Sequence, residues 1–299
     1  MVKRDSKIRI GPKGLRNKGN DCFLNSAMQC MLSLVDITTF YSCTSFEPDQ
    51  KTSRCLKDFV SLFKESDNAI SPEEFIKDLQ NKTPILNGRQ QDSHEFLLAL
   101  INLLFKELEK SHKEVYGDMD EFKELQQRNI IADAFYGMMQ TSVVCNMCLK
   151  RFKCMHHFST LSLNVFPTIN ESLTFFEKEN SLENENKWLC EGCKVSKSSK
   201  HKIEIIDYPK VLIVHLLRFD GGYRKDNRGV DIDKEVALDS NTYEISGMIC
   251  HTGVLNSGHY IAYAKRAGGW YCFDDEHVSK VTNPPLKSSN AYLIFYQKK

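Results

Sequence analysis

The stretch GLRNKGNDCFLNS, residues 14–26, joins a turn rich in glycine and asparagine to the start of an apolar helix. The helix is indicated by apolar residues at the spacing of one helix face, namely Phe23, Leu24, Ala27, Met28, Met31, Leu32 and Val35. Cys22 stands at the junction, where unpaired backbone N–H groups create partial positive charge. That charge lowers the pKa of a thiol, so the sequence indicates Cys22 as a candidate nucleophile. A cysteine at the start of a helix is more often inert than catalytic, so position alone does not assign Cys22 a catalytic role.

Helices dominate the first half of the chain and strands the second half. Residues 22–132 have helical periodicity, with a capping box at residues 71–74 (SPEE) and Asp92 as an N-cap three residues before Glu95. Past residue 135 the chain turns to short β-rich runs, of which the clearest are residues 211–217, 260–264, 270–273 and 291–296. Helices followed by antiparallel strands predict an α+β fold.

Composition disfavours several classes of protein. The chain has 299 residues, 41% hydrophobic, with a mean hydropathy of −0.41 and a net charge of +1. It has no run of ~18 apolar residues that would span a bilayer and no apolar signal-peptide core, so we expect a cytoplasmic and/or nuclear protein without membrane contact. The near-zero charge argues against a strongly basic nucleic-acid binder. Seven basic residues against one acid in residues 1–20 predict a basic, flexible tail over residues 1–13.

A base for Cys22 is indicated by two successive strands near the carboxyl terminus. A cysteine nucleophile needs a base, and the base needs an orienting partner. His259 opens the run GHYIAYA, and the following run WYCF ends at Asp274 and Asp275. In an antiparallel hairpin that turns near residues 266–269, the start of the first strand faces the end of the second. The sequence therefore predicts an aspartate carboxylate within reach of the His259 ring, although each residue taken singly is more often a surface residue.

Four of the eleven cysteines form two C-x-x-C pairs, Cys145/Cys148 and Cys190/Cys193. This spacing is typical of zinc knuckles, so the pairs predict one structural Cys₄ zinc site. An odd cysteine count without an export signal argues against a disulfide framework. Free thiols in an insertion that has lost its metal are the alternative. The nearby Cys154, His156 and His157 could substitute as ligands.

Several sequence blocks resemble the ubiquitin-specific proteases, which are papain-like cysteine peptidases. The blocks occur in that family's order over residues 11–297: residues 14–30 around Cys22, QQDSHEFL at 90–97, residues 209–219 ending in LRF, and residues 251–278 with GHY and FDD. The resemblance implies a single compact catalytic domain over residues 14–299. Within it, the resemblance implies a helical thumb (14–132), a zinc-bearing β fingers insertion (133–205) and an antiparallel β palm (206–299).

The resemblance also implies roles for individual residues. Cys22 would be the nucleophile, His259 the general base and then acid, and Asp274 the residue that orients the imidazole. Asn17 matches the oxyanion-stabilising position. Substrate contacts are implied for Gln91, Asp92, Tyr260 and Asp275. A carboxylate such as Asp92 at an exposed helix start can pair with an arginine of the ubiquitin tail, and a narrow channel would admit only its terminal glycines.

The implied activity is that of a thiol-dependent deubiquitinase, which hydrolyses the isopeptide bond after the carboxyl-terminal glycine of ubiquitin through a thioester. The expected partners are ubiquitin and ubiquitinated proteins, met by a monomer with one structural Zn²⁺ and no organic cofactor. Two alternatives are a catalytically dead ubiquitin-binding module and a zinc-dependent nucleic-acid adaptor that uses the basic amino terminus. The presence of Cys22, His259, Asp274 and Asn17 argues against the first. A solvated, disordered tail is enough to explain the basic terminus, which argues against the nucleic-acid adaptor.

One position departs from the family pattern. Asp21 precedes Cys22, where the family usually has threonine. A carboxylate beside a thiolate disfavours the charged sulfur unless the acid points away or caps the helix.

Overall fold

A computed structural model describes residues 7–109, 118–219, 224–254 and 257–299. Within these ranges seven helices precede the first long strand and one follows it, together with a 3₁₀ turn at Asn184–Asn186. The helices are α1 Cys22–Met31, α2 Val35–Cys43, α3 Lys51–Glu65, α4 Glu73–Gln80, α5 Ser93–Leu108, α6 Met119–Arg128, α7 Ile130–Phe135 and α8 Ile169–Phe176. None of the described helices is long and apolar enough to cross a membrane.

The apolar stripe that begins at Cys22 is divided between two helices. Ser33 and Leu34 make tight i to i−3 backbone hydrogen bonds to Cys30 and Met31, which end α1. Val35, expected on the face of the first helix, instead opens α2. Every residue of α1 is buried, and the helix packs between α5 and the strand that carries His259.

The two predicted helix caps have different outcomes. Asp92 is confirmed as the N-cap of α5, since its carboxylate accepts hydrogen bonds from the backbone N–H groups of His94 (2.6 Å) and Glu95 (3.2 Å). The capping box at residues 71–74 does not form. Pro72 occupies the N-cap position of α4 without a side-chain bond, and the Ser71 hydroxyl has no partner among the described residues.

The strands form two main sheets. They are β1 Gly137–Cys145, β2 Arg151–Phe158, β3 Leu161–Leu163, β4 Asn180–Leu182, β5 Trp188–Cys190, β6 Val195–Lys197, β7 Ser199–Asp207, β8 Val211–Leu216, β9 Val230–Asp231, β10 Glu235–Leu238, β11 Asn241–Val254, β12 Ser257–Arg266, β13 Gly269–Asp274, β14 His277–Val281, β15 Lys287–Ser288 and β16 Ala291–Lys298. The palm sheet has the order β14-β13-β12-β11-β16-β8-β3, with β10 paired to β11. The fingers sheet has the order β2-β1-β7-β4, and β5 and β6 form a separate hairpin.

Nearly all pairings are antiparallel, β3 with β8 being the parallel exception among the named strands. Helices therefore precede antiparallel sheets along the chain, and the predicted α+β fold is confirmed. One hydrophobic core joins the helices to the palm sheet, and a second joins the palm sheet to α8 and to strands of the fingers sheet.

Two buried arginines connect distant segments, Arg218 within the palm and Arg266 between the palm and α1. The Arg218 side chain is fully buried and donates hydrogen bonds to the carbonyls of Asp226, Arg228, Ser288 and Ala291. Arg266 donates to the backbone and side chain of Gln29 on α1. The carbonyls around each guanidinium offset part of the cost of burying its charge, and Arg266 Nε has no hydrogen-bond partner among the described residues.

The amino-terminal segment is packed where it is described. The Ile8 backbone donates to Thr39 (2.9 Å), Ile10 is buried, and Lys13 donates to the carbonyl of Phe63 (2.7 Å). The expectation of a flexible tail through residue 13 is therefore not met over these positions, because apolar burial and backbone hydrogen bonds hold them to the helices. Residues 1–6 of that predicted tail lie outside the described residues.

Candidate active site

Cys22 is the first residue of α1, and its side chain is almost fully buried. Burial raises the pKa of its thiol above the ordinary value, and the Asp275 carboxylate raises it further. Backbone N–H groups, that of Tyr260 foremost, act in the opposite direction. The expected lowering of the thiol pKa is therefore wrong in direction, since desolvation outweighs the N–H groups of the helix start. A thiol of this kind is mostly protonated at neutral pH and depends on a base.

The predicted pairing of His259 with an aspartate is present. His259 Nε2 lies 2.6 Å from Asp274 Oδ1, across the hairpin of β12 and β13. In the neutral imidazole, an Nε2–H that donates to this carboxylate leaves Nδ1 as the nitrogen that can act as a base. Within the described residues no hydrogen bond joins the Cys22 thiol to the His259 ring. Catalytic contacts are often long before substrate binds, so this does not remove the pair as nucleophile and base.

Asp275 connects the turn before Cys22 to the hairpin that carries His259. Its carboxylate accepts hydrogen bonds from Asn17 Nδ2 (2.9 Å) and Asn25 Nδ2 (2.8 Å), and its carbonyl accepts from the Leu15 N–H (2.8 Å). Asp275 has a left-handed φ of 51°. Both carboxylate oxygens of Asp275 thus accept from internal amides, and its expected contact with substrate stays a prediction.

Gly14 makes this connection sterically possible. A Cβ at Gly14 would lie 2.3 Å from the Glu276 carbonyl oxygen and 2.6 Å from its Cα. Both are backbone atoms and cannot rotate away, so the turn and the hairpin can meet only with glycine at residue 14.

Asn17 organises the turn on which the nucleophile sits. Its Oδ1 accepts from the backbone N–H groups of Gly19 (2.9 Å) and Asp21 (3.1 Å), while one Nδ2 proton goes to Asp275. The second Nδ2 proton is left for another acceptor. Its predicted role toward an oxyanion stays a prediction.

Replacing Asp275 by asparagine is expected to have two effects that can be measured separately. The pKa of the Cys22 thiol falls, and the turn before Cys22 is held less firmly. Loss of the negative charge lowers the Cys22 pKa, because the Asp275 carboxylate raises it. An asparagine also sets its own NH₂ against Asn17 or Asn25, a mismatch that costs ~1–3 kcal/mol. The pH dependence of Cys22 alkylation should move to lower pH, while the melting temperature and kcat both fall.

Glu276→Gln is the matched control for Asp275→Asn, since it removes a neighbouring acid whose side chain is exposed. It should leave the alkylation profile and the melting temperature nearly unchanged. An unaltered alkylation profile in Asp275→Asn would contradict the electrostatic role given to Asp275.

Asp92 connects the start of α5 to the palm. One carboxylate oxygen caps α5, and the other accepts a hydrogen bond from the Tyr292 hydroxyl on β16. Gln90 Oε1 accepts from the Gly258 N–H (3.1 Å), one residue before His259. Gln91 instead donates to Asn87 (2.8 Å). The Asp92 carboxylate, which is predicted to bind substrate, thus lies at the start of α5. Of the two glutamines before it, Gln90 contacts β12 and Gln91 does not make that hydrogen bond.

An aromatic cluster lies beside Asp92. The ring centroids of His251 and Tyr260 are 4.4 Å apart, and Tyr292 and Phe219 complete the cluster. Burial lowers the pKa of His251 to about 4, so this imidazole is neutral at physiological pH. A Cβ at Gly258 would come within 2.1 Å of His251 Nε2, so the ring takes the space that a side chain there would need. The predicted contact residue Tyr260 therefore belongs to a buried neutral wall.

A family model described as ubiquitin carboxyl-terminal hydrolase matches residues 13–296. The match includes Cys22, His259, Asp274 and every residue of the two C-x-x-C pairs. The chain belongs to the ubiquitin carboxyl-terminal hydrolase family. The expectation drawn from the sequence blocks is confirmed, and this is a family of cysteine-type hydrolases.

Curated relatives within the ubiquitin carboxyl-terminal hydrolase family come from plants and mammals. The chain is 28% identical over 314 residues to ubiquitin carboxyl-terminal hydrolase 16 of Arabidopsis thaliana, covering 97% of this chain and 31% of the relative. It is 26% identical over 347 residues to ubiquitin carboxyl-terminal hydrolase 21 of Homo sapiens (96% and 61%) and 27% identical over 339 residues to human ubiquitin carboxyl-terminal hydrolase 2 (98% and 56%). The chain thus spans less than two thirds of the length of these relatives.

The fold matches chains of two solved structures over the whole of this chain. One is described as the SAGA DUB module Ubp8/Sgf11/Sus1/Sgf73 bound to monoubiquitin (TM-score 0.78, 23% identity). The other is that DUB module bound to ubiquitin aldehyde (TM-score 0.79, 24% identity). This chain covers 72% of each matched chain. At these identities the likeness confirms the fold of the catalytic domain.

Asp21, the departure from the family pattern, does not contact the nucleophile. Its carboxylate accepts from the Lys18 N–H (3.2 Å), back within the turn. The carboxylate that contributes most to the raised pKa of Cys22 is that of Asp275. Asp21 therefore acts as a turn residue in this member of the family.

Asp21→Thr is expected to leave activity equal or higher, because threonine keeps a hydroxyl acceptor in the turn and removes a charge near the thiol. The measurement is kcat/KM for a ubiquitin conjugate with a fluorescent leaving group, compared with wild type. A large fall in turnover would show that Asp21 takes part in the mechanism.

The second candidate site of this family member is the Cys₄ cluster at the fingers. Cys145, Cys148, Cys190 and Cys193 have sulfurs within 4.8 Å of one another, and the Cys148–Cys190 and Cys145–Cys193 Sγ pairs are 3.6 and 4.0 Å apart. Zn–S bonds of ~2.3 Å in a tetrahedron require sulfurs about 3.8 Å apart, so the four thiols fit a zinc ion. These four cysteines can bind a metal.

Both C-x-x-C segments fold as the same knuckle. The residue after the second cysteine has a left-handed φ of 58° in each, at Leu149 and at Lys194. Its N–H donates to the carbonyl of the first cysteine, at 2.9 and 2.7 Å. Cys154, His156 and His157, considered above as substitute ligands, lie on β2 and are not part of the cluster.

Sequence reasoning missed three residues of the candidate active site: Asn25, His251 and Tyr292. Asn25 stands one helical turn after Cys22 and is a polar residue on a buried helix. A buried polar side chain needs a hydrogen-bond partner, so its position could have indicated a contact near the nucleophile. His251 opens the block of residues 251–278 that resembles the family, but the resemblance implies no role for this histidine. Tyr292 lies in an apolar strand, and its sequence neighbourhood gives no sign of the contact with Asp92.

Proposed function

We propose that this chain is a deubiquitinase that hydrolyses the isopeptide bond after the carboxyl-terminal glycine of ubiquitin. Family membership supports hydrolysis at a carboxyl-terminal residue. The observation that carries the proposal is the 2.6 Å hydrogen bond between His259 and Asp274, on the hairpin that Asp275 ties to the turn before Cys22. The described thiols are free, which a cysteine mechanism requires.

In the proposed mechanism, His259 Nδ1 removes the proton from the Cys22 thiol as the sulfur attacks the carbonyl of the ubiquitin terminal glycine. Burial raises the pKa of the Cys22 thiol, so the sulfur depends on His259 to accept its proton during the attack. His259 then gives the proton to the departing lysine amine, and a thioester remains on Cys22. A water molecule, deprotonated by His259, attacks the thioester, and the C–S bond breaks to release ubiquitin with a free carboxyl group. His259 returns the proton to the Cys22 sulfur.

The oxyanion formed in each step needs hydrogen-bond donors in fixed positions. The free Nδ2 proton of Asn17 and the backbone N–H groups at the start of α1 are the proposed donors. Asn17 is rigid because its other amide atoms are engaged with Gly19, Asp21 and Asp275. A donor that is already oriented loses no further freedom during the reaction.

Specificity for ubiquitin is proposed to come from Asp92 and the aromatic wall beside it. The tail of ubiquitin carries arginines and ends in two glycines. Asp92 offers a carboxylate to an arginine, while the buried rings of His251, Tyr260 and Tyr292 form a neutral wall behind it and the Tyr292 hydroxyl fixes the carboxylate in place. Partners would then be ubiquitin and ubiquitinated proteins, encountered by a monomer in the cytoplasm or nucleus.

The Cys₄ cluster is proposed to hold one structural zinc ion. Four cysteine ligands close the coordination sphere, so the ion would have no position for water or substrate. Bound zinc would fix the two knuckles to each other and thereby hold the end of the fingers sheet.

A ubiquitin derivative with a carboxyl-terminal electrophile tests the proposed activity. Wild type should form a stoichiometric covalent adduct, and Cys22→Ala should form none. Cys55→Ala is the matched control, since this half-buried thiol lies on α3 outside the candidate site. If the folded wild type binds ubiquitin without an adduct, the catalytically dead module is correct instead. Labelling that persists in Cys22→Ala would remove Cys22 as the nucleophile.

A further inference from the structure

The start of α5 is tied by polar contacts to two other elements. Asp92, its N-cap, accepts a hydrogen bond from the Tyr292 hydroxyl on β16. The next residue, Ser93, is fully buried, and its hydroxyl donates to the carbonyl of Phe23 on α1 (2.9 Å). These bonds hold the end of α5 that carries the Asp92 carboxylate to α1 and to the palm sheet.

His94, in the same turn of α5, stacks on His215 of β8. The ring centroids are 3.9 Å apart and the ring planes are inclined by 23°. Each ring also lies beside a hydroxyl at the edge of the palm, since His94 Nε2 is 3.0 Å from Thr160 Oγ1 and His215 Nδ1 is 3.0 Å from Ser162 Oγ. A face contact and a hydrogen bond together fix the orientation of each ring. The stack therefore fixes the start of α5 against β8 and β3.

Both stacked imidazoles are neutral at physiological pH. Burial lowers the pKa of His94 and lowers that of His215 to about 3, and the neighbouring His94 acts on His215 in the same direction. Asp92 acts in the opposite direction on His94. Neutral rings can pack face to face without charge repulsion, and they leave the negative charge of Asp92 to attract a cation from outside.

Tyr292 connects the stack to the Asp92 carboxylate. The His215 and Tyr292 rings meet edge to face, with centroids 4.9 Å apart and planes inclined by 79°. Since the Tyr292 hydroxyl donates to Asp92, the carboxylate is held from two sides. His94 holds it through the backbone of α5, and His215 holds it through Tyr292. Loss of the stack would weaken both supports at once.

We propose that His94 and His215 are positioning residues, which hold the Asp92 carboxylate where it meets an arginine of the ubiquitin tail. This inference rests on the function proposed above and adds two residues to it. Neither histidine is part of the group formed by Cys22, His259 and Asp274. A charge-assisted pair depends on its geometry, so a displaced carboxylate binds the tail less well while the chemistry continues. The expected signature is a higher KM at an unchanged kcat.

The test compares variants of the full chain with a ubiquitin conjugate that has a fluorescent leaving group. His215→Ala removes the stack and should raise KM roughly tenfold with kcat nearly unchanged. His215→Phe keeps a ring against His94 and Tyr292, so it should restore most of the wild-type KM. His94→Ala breaks the same stack from a half-buried helix position, so it makes the same test if His215→Ala does not fold.

A double-mutant cycle with Asp92→Asn separates positioning from a general effect on stability. Asparagine still caps α5 but lacks the charge that the arginine needs. Once that charge is absent, the place of the side chain matters little. His215→Ala should therefore add almost nothing to the KM increase of Asp92→Asn, whereas independent effects would multiply.

His157→Ala is the matched control, because it removes another half-buried imidazole, on β2, whose ring packs on Tyr136 with centroids 5.1 Å apart. It should leave KM unchanged. Backbone hydrogen exchange gives a readout that needs no ubiquitin. The amides of His94 and Glu95, which donate to Asp92, should exchange faster in His215→Ala than in wild type and at the wild-type rate in the control.

An unchanged KM in His215→Ala, an effect that multiplies with that of Asp92→Asn, or unaltered exchange at the start of α5 would overturn the proposal. So would a fall in kcat that His215→Phe does not reverse. If wild type does not turn over ubiquitin, the proposed function fails, and the exchange measurement still decides whether the two histidines position Asp92.

Discussion

Asp274→Asn is expected to lower kcat for a ubiquitin conjugate by roughly 10²- to 10⁴-fold with little change in KM. The carboxylate now accepts the Nε2 proton of His259 at 2.6 Å. An asparagine can donate its NH₂ to Nε2 instead, which moves the ring proton to Nδ1. A ring protonated at Nδ1 cannot take the proton of the Cys22 thiol, so binding survives while chemistry is lost.

The experiment separates orientation from folding by measuring kcat, KM and the melting temperature of the same samples. Asp274 and His259 are both partly exposed, so the asparagine should fold normally. Glu276→Gln, two residues later and exposed, is the control that should retain full turnover. A fall of less than about tenfold in kcat for Asp274→Asn would mean that another residue orients His259.

Cys190→Ser is expected to remove the metal from the fingers and to destabilise them by at least ~3 kcal/mol, since zinc binding free energy is folding free energy in small Cys₄ units. Cys190 is buried at the cluster, 3.6 Å from Cys148 through their sulfurs. With three thiolates left, the two knuckles would no longer be held together. A melting temperature lower by several degrees is the expected result.

Cys154→Ser is the matched control, because this cysteine lies on β2 with an exposed side chain outside the cluster. Metal analysis should find one zinc per chain in wild type and in the control, and much less in Cys190→Ser. Wild type that contains no zinc after expression in zinc-supplemented medium would contradict the proposal. So would a Cys190→Ser variant that melts like wild type.

The sequence was most informative where a feature depends on neighbouring residues. A glycine- and asparagine-rich turn before a periodic apolar run located Cys22 at the start of a helix. The N-cap at Asp92 could be predicted from residues 92–95 alone. The His259–Asp274 contact lies within one hairpin, so strand pairing predicted it. The capping box at Ser71 failed because Pro72 took the cap position, a backbone choice that the motif does not specify.

What the sequence by itself determined is the α+β class, the family and the paired cysteines, and it named Cys22 and His259 as the candidate nucleophile and base. What only the tertiary structure decided is how these parts act on one another. The pKa of Cys22 is raised because the folded body buries it and brings Asp275 close, which a helix start alone does not foretell. The structure also shows that Asp275 accepts hydrogen bonds from Asn17 and Asn25, 258 and 250 residues away in the chain. Local patterns fix local geometry, whereas desolvation and contacts between distant segments exist only after the chain has folded.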